Sequence, residues 1–228
     1  MSRLAIAVVC MVLLAGAAAW AGDIISMPTG NMVQPGNFEL NYIFWDLEGV
    51  PAEGGGTIGD SAQIGELFVG ATKNIELDVL HVDLQDVDNF TELNLYGQVL
   101  KETADRPGMV VGLTNVTGSN WLQSEDMASD KRISPFVIFS YNAVQPAAAP
   151  NWNDPLVRLH LGYGTNYHEN TPFGGAQIAF TPQFGIGIFN YRKAPAYLAV
   201  FRPVKAIEIR AGTYGGDPLI SGGWYASW

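Results

Sequence analysis

Over long stretches of this chain, hydrophobic side chains recur at every second position. Ile75, Leu77 and Val79 alternate with Asn74, Glu76 and Asp78; Val157, Leu159, Leu161 and Tyr163 alternate with Arg158, His160 and Gly162; Ile207, Ile209 and Ala211 alternate with Glu208, Arg210 and Gly212. Successive side chains of a strand point to opposite faces, so a period of two gives one apolar face and one polar face. No helical period stands out after residue 21. The pattern predicts strands near 37–46, 62–71, 73–83, 90–101, 108–116, 133–143, 156–165, 174–181, 183–191, 196–203, 205–214 and 219–228, twelve in all.

Alternating segments of about ten residues, separated by turn residues, are the signature of a transmembrane β-barrel. The expected fold is therefore all-β, an antiparallel transmembrane barrel of about 12 strands over 22–228. The connections agree: such barrels have long loops on one side and short turns on the other. Segments 47–61, 117–132 and 166–173 are long, whereas Thr72, Pro182 and Val204 leave almost no turn. The Pro-rich segment 144–155 breaks the rule and suggests a plug or cap. The alternative fold is a soluble β-sandwich, which also alternates and turns on Gly and Pro. Ala196 to Phe201 is apolar on both faces, which suits a sandwich core or a sealed barrel.

The start of the chain changes the picture. Arg3 precedes an apolar run from Leu4 to Trp20, closed by Ala19-Trp20-Ala21. This order predicts a signal peptide over 1–21 and export; a single membrane anchor is the rival reading. Cys10 is the only cysteine and lies inside that run, so the exported part is expected to have no disulfide. About half of the residues are hydrophobic and only 15% are charged, which excludes disorder. The net charge of -10 argues against a nucleic-acid partner. Charge is also lopsided: Asp23 to Asp130 holds 18 acids and 3 bases, and Lys131 to Trp228 holds 4 acids and 8 bases. A barrel would bring these halves together.

If the apolar face meets lipid, Glu66, Glu76, Asp78, Glu92, Arg158, His160, Glu208 and Arg210 point into the lumen. There they would either line a cation-favouring channel or pair with one another and hold the wall. Tyr42, Phe44, Trp45, Phe90, Tyr191, Tyr214 and Trp224 fall near strand ends, as a membrane-interface girdle requires. The end of the chain, Gly222-Gly223-Trp224-Tyr225-Ala226-Ser227-Trp228, resembles a barrel insertion signal through Gly223 and Trp228. That resemblance implies barrel-assembly machinery as a partner, alongside outer-membrane lipid.

Two stretches carry a family resemblance. Ile24-Ile25-Ser26-Met27-Pro28-Thr29-Gly30, followed by Gln34-Pro35-Gly36 and a strand from Phe38, looks like the opening of YjbH-like outer-membrane proteins. Gly174, Phe180-Thr181-Pro182, Tyr197 and Arg202-Pro203 are similar to later hairpins of those barrels. The resemblance implies an outer-membrane barrel associated with exopolysaccharide export, with polysaccharide as a partner. Typical members are much longer, with more than one barrel-like unit.

Catalytic and cofactor chemistry finds little support. His81, His160 and His168 form no H-E-x-x-H pattern and no cysteine pairs exist, so neither a metal site nor a cofactor is expected. Gly-x-Ser-x-Gly is absent. A hydrolase site at the barrel rim would need His160 or His168 to meet a serine such as Ser119 through folding. His168-Glu169 is expected to be a solvated loop pair, and the acidic stretch Asp83 to Asn89 a solvated tip rather than a calcium loop. The expectation is a non-enzymatic outer-membrane barrel with a structural, porin-like or envelope-assembly role. Its alternatives are a secreted β-sandwich binding module and a rim-site hydrolase.

Overall fold

A computed structural model describes residues 32–46, 61–84, 89–103, 105–117, 133–144, 157–165, 168 and 170–227. The strands are β1 (Asn37–Asp46), β2 (Ser61–Thr72), β3 (Ile75–Leu84), β4 (Phe90–Leu100), β5 (Gly108–Thr114), β6 (Ser134–Val144), β7 (Val157–Gly164), β8 (Thr171–Ala179), β9 (Phe184–Tyr191), β10 (Ala194–Val204), β11 (Ile207–Tyr214) and β12 (Asp217–Ser227). Each pairs antiparallel with its chain neighbours, and β1 pairs with β12 to close a barrel. The β-sandwich alternative is thereby set aside. The signal peptide, the first resembling stretch up to Gly30, Trp228 and nearly all of 144–155 lie outside the described residues.

Two strand limits differ from the sequence pattern for local reasons. β5 stops at Thr114 because Asn115 takes a left-handed φ of 55° and its N–H donates to Asn94 Oδ1 at 2.8 Å. Asparagine tolerates that conformation better than most residues. β8 starts at Thr171 and runs straight through Pro172 and Gly174-Gly175, which in sequence resemble a turn.

Period-two alternation sorts the side chains. Leu40, Tyr42, Phe44, Val79, Phe139, Leu161, Tyr197, Ile209 and Ile220 are exposed on the outer wall, while Glu39, Asn41, Glu66, Asp78, Glu92, Glu208 and Arg210 are buried inside. This inverts a water-soluble protein, whose charged residues are almost never fully buried unless paired. It is the arrangement of transmembrane barrels. Every strand contributes buried inward positions, so the described interior is filled.

The filling differs along the barrel. β1 begins and β12 finishes at one end, here the terminus end; segments 47–60 and 115–133 connect strands at the opposite, loop end. Towards the loop end the interior is apolar. Ile43, Ile64, Leu80, Val82 and Phe90 form one cluster, and a larger one includes Phe136, Ile138, Phe173, Phe189, Leu198 and Leu219. Glycines make room for the rings: a Cβ at Gly112 would lie 2.3 Å from Phe136, and one at Gly162 would lie 2.5 Å from Phe173. Towards the terminus end the interior is charged.

A short arm precedes β1 and bends inward. Gln34-Pro35-Gly36-Asn37 makes a tight turn, with Asn37 N–H donating to Gln34 C=O at 3.0 Å and Gly36 at φ 80°. Pro then Gly at the two central positions is the pairing a type II turn demands. The arm bridges β2 in parallel through Pro35 and Gly70. Val33 is buried with Phe68, and Met32 joins the larger apolar cluster.

Candidate functional site: the charged interior

Three polar groups occupy the interior. In the first, Glu208 is held by two arginines: Arg202 Nε donates to its Oε2 at 2.6 Å, and Arg210 Nε donates to its other oxygen. Arg210 also reaches Glu39 across the β1–β12 seam at 3.8 Å, and Asn41 Nδ2 donates to Glu39 at 2.9 Å. All five of these residues are buried. Charged partners in a fixed geometry compensate the loss of hydration that burial imposes.

The second group is an acidic wall on β2, β3 and β4. Glu66 lies level with Asn41 in the β1–β2 register, Glu92 with Leu80, and Asp78 with Asn94. Asn94 Nδ2 donates to Asp78 at 2.6 Å, and the Val33 N–H of the arm donates to Glu76. The third group lies on β6 and β7. Arg158 pairs with Glu102 at 3.0 Å and donates to Asn142 Oδ1 at 2.5 Å, while Ser140 Oγ meets His160 Nδ1 at 2.9 Å.

The structure thus places Glu66, Glu76, Asp78, Glu92, His160, Glu208 and Arg210 inside and buried, and Arg158 inside and partly buried. It brings together Glu208 with Arg210, sets the four acids along one wall, and places Arg158 and His160 on β7. The acid-rich first half and the base-rich second half meet through Glu39–Arg210 and Glu102–Arg158. The sequence reading missed Glu39, Asn41, Asn94 and Arg202. Glu39 and Asn41 alternate with Leu40 and Tyr42, so the same period-two signal could have found them.

Other expectations need correcting. Trp45, Phe90, Tyr191 and Tyr214 do not belong to an outer girdle: parity turns them inward, where Phe90 and Tyr191 are buried and Trp45 packs against Tyr214. Tyr42 and Phe44 do face outward. Gly223, expected with Trp228 to form an insertion signal, faces inward, and a Cβ there would lie 2.7 Å from Asn41 Oδ1, a packing constraint that stands beside that expectation rather than against it. Ser119, the serine named for a rim hydrolase, lies outside the described residues, while His160 meets Ser140 inside the barrel wall, where both are buried.

His168 is not a solvated loop residue. It lies between β7 and β8 and is 0% exposed. Its Nε2 meets Thr114 Oγ1 at 2.9 Å, and its Nδ1 meets Tyr191 OH at 3.0 Å. The ring stacks on Phe173 and fits against Gly164, where a Cβ would lie 2.4 Å away. Burial pushes its pKa from 6.5 down to about 3, and the charge of Arg192 acts in the same direction. The folded state therefore binds the proton less well than the unfolded chain. Stability from this latch is complete above pH 6.5 and is lost as pH falls towards 3. The unfolding free energy is expected to drop by about 1.4 kcal/mol per pH unit over that window. Denaturant titrations at stepped pH check this, and the slope should shrink in His168→Phe.

Comparison with known protein families finds no match, and comparison with curated proteins finds none. Among solved structures, the chain is similar to the crystal structure of an outer membrane channel from Pseudomonas putida F1. The two are 12% identical, the TM-score is 0.42, and the match covers 86% of this chain and 97% of the channel.

Proposed function

We propose that this chain is a sealed β-barrel of the bacterial outer membrane, non-enzymatic, with a structural or envelope-assembly role. One observation carries the reading: charge is buried within a closed barrel whose outer wall is apolar. An arginine or glutamate against hydrocarbon is costly, whereas leucine and phenylalanine there are not. The filled interior favours a structural role over an open porin. The exopolysaccharide connection rests on the two YjbH-like stretches alone.

Cell fractionation followed by a detergent gel tests this. The protein is expected in the outer-membrane fraction, with its unheated band running at a shifted position. A soluble protein with no heat shift would overturn the reading.

A further inference from the structure

We propose that the arm Met32–Gly36 is a displaceable plug, and that its withdrawal opens the terminus-side interior as an acid-walled vestibule that admits cations and disfavours anions. The inference rests on the sealed barrel proposed above, and goes further by assigning that seal to a segment rather than to the wall.

The attachment of the arm differs from that of the wall. Each wall strand is bonded along two neighbouring strands. Among the described residues, the arm is joined by the Pro35–Gly70 bridge, the Val33 N–H to Glu76 and the apolar contacts of Met32 and Val33. It enters the wall through Gly36, whose left-handed φ of 80° makes the turn, and among the described residues no strand closes on its other side. A segment held by few contacts opens at lower free energy than the sheet around it.

The wall is shaped to receive the arm. A Cβ at Gly70 would lie 2.2 Å from the Gln34 carbonyl oxygen and 2.5 Å from that of Val33. Neither backbone atom can swing aside as a side-chain tip could. Glycine at this point is therefore what lets the arm lie against β2.

The space behind the arm has a sign. The arm touches Glu76 directly, and Glu66, Asp78 and Glu92 share the same inward wall. Among the described residues, the interior buries six carboxylates against Arg202 and Arg210. Once water enters, an enclosed acidic surface concentrates cations and repels anions.

Gly70→Ala is the displacing variant, because its methyl group occupies the position of the arm. Gly65→Ala is the control, since nothing lies within 4 Å of a Cβ there. Cys10 is the only cysteine of the chain, so a single reporter thiol can be read cleanly in a Cys10→Ser background. Val33→Cys reports on the arm and Ser140→Cys on the interior. Each folded protein in detergent is treated with two methanethiosulfonate reagents, one carrying trimethylammonium and one carrying sulfonate.

Both reporters should be protected in the otherwise unaltered chain and with Gly65→Ala. With Gly70→Ala both should react, and at Ser140→Cys the cationic reagent should be faster by about tenfold or more. Protection of Val33→Cys in the Gly70→Ala background would overturn displaceability. Protection of Ser140→Cys once Val33→Cys reacts would show that the wall is the seal. Equal rates for the two reagents would overturn the acidic vestibule. Reaction of Ser140→Cys in the unaltered chain would instead count against the sealed interior itself. If Gly70→Ala loses the heat-shifted band, the joint replacement Met32→Gly and Val33→Gly removes the plugging side chains with the wall intact, and the same outcomes apply at Ser140→Cys.

Discussion

Replacing Glu208 with alanine is expected to destabilise the barrel by about 3–5 kcal/mol, because it leaves two buried guanidiniums facing each other. Arg202 and Arg210 both donate to this one carboxylate, and all three side chains are buried. Glu39, at 3.8 Å from Arg210, is too distant to replace a direct hydrogen bond. The loss should appear in denaturant unfolding followed by tryptophan fluorescence, as a lower midpoint with little change in slope. The informative comparison is the joint replacement Arg202→Met, Glu208→Leu and Arg210→Met. Removing all three charges removes their desolvation cost as well, so this variant should lie within about 1–2 kcal/mol of the unaltered chain or exceed it. If the joint variant is as unstable as Glu208→Ala, the network contributes net stability to the wall. If Glu208→Ala costs less than 1 kcal/mol, water reaches the arginines and the interior is not sealed.

Much of this architecture was legible in the sequence, for a specific reason. A closed antiparallel barrel has no edge, and every strand turns one face outward and the other to the interior. The period-two pattern is therefore repeated around the whole circumference. All twelve predicted strands overlap those observed, and most limits agree within two residues. β8 is the exception, because Pro172 and the adjacent glycines carry turn chemistry inside a strand.

The features the sequence did not reveal depend on three-dimensional placement. Nothing in Met32-Val33-Gln34-Pro35-Gly36 distinguishes an arm folded into the lumen from a linker outside it. Only the contact with Gly70 and Glu76 decides. His168 follows the same logic: its polar neighbours in the chain suggest solvent, but Thr114 and Tyr191 come from distant strands and draw it inside. Trp45, Phe90, Tyr191 and Tyr214 leave the outer girdle because parity, not nearness to a strand end, sets the face a side chain takes. Trp45 directly follows the outward Phe44, so alternation alone sends it inward.

Leu161→Arg separates a lipid-facing wall from a water-facing one more sharply than any interior substitution. Leu161 is 64% exposed, and its partner in the register is Phe139, at the middle of β6. An exposed leucine on a soluble protein tolerates arginine within about 0.5 kcal/mol, because nothing is buried or unpaired. At the midplane of a bilayer the same change costs about 2–4 kcal/mol, since the guanidinium must leave water or drag water into hydrocarbon. His81→Arg provides the matched control. His81 is also exposed, lies near the loop end of β3 and already hydrogen-bonds Thr91 Oγ1 at 2.9 Å. There the cost should fall to about 0–1 kcal/mol, as at a membrane interface. Reversible unfolding from lipid vesicles measures both. A large loss at Leu161 beside a small one at His81 locates the hydrocarbon at the barrel waist. Equal, negligible losses would mean that the apolar belt faces something other than lipid.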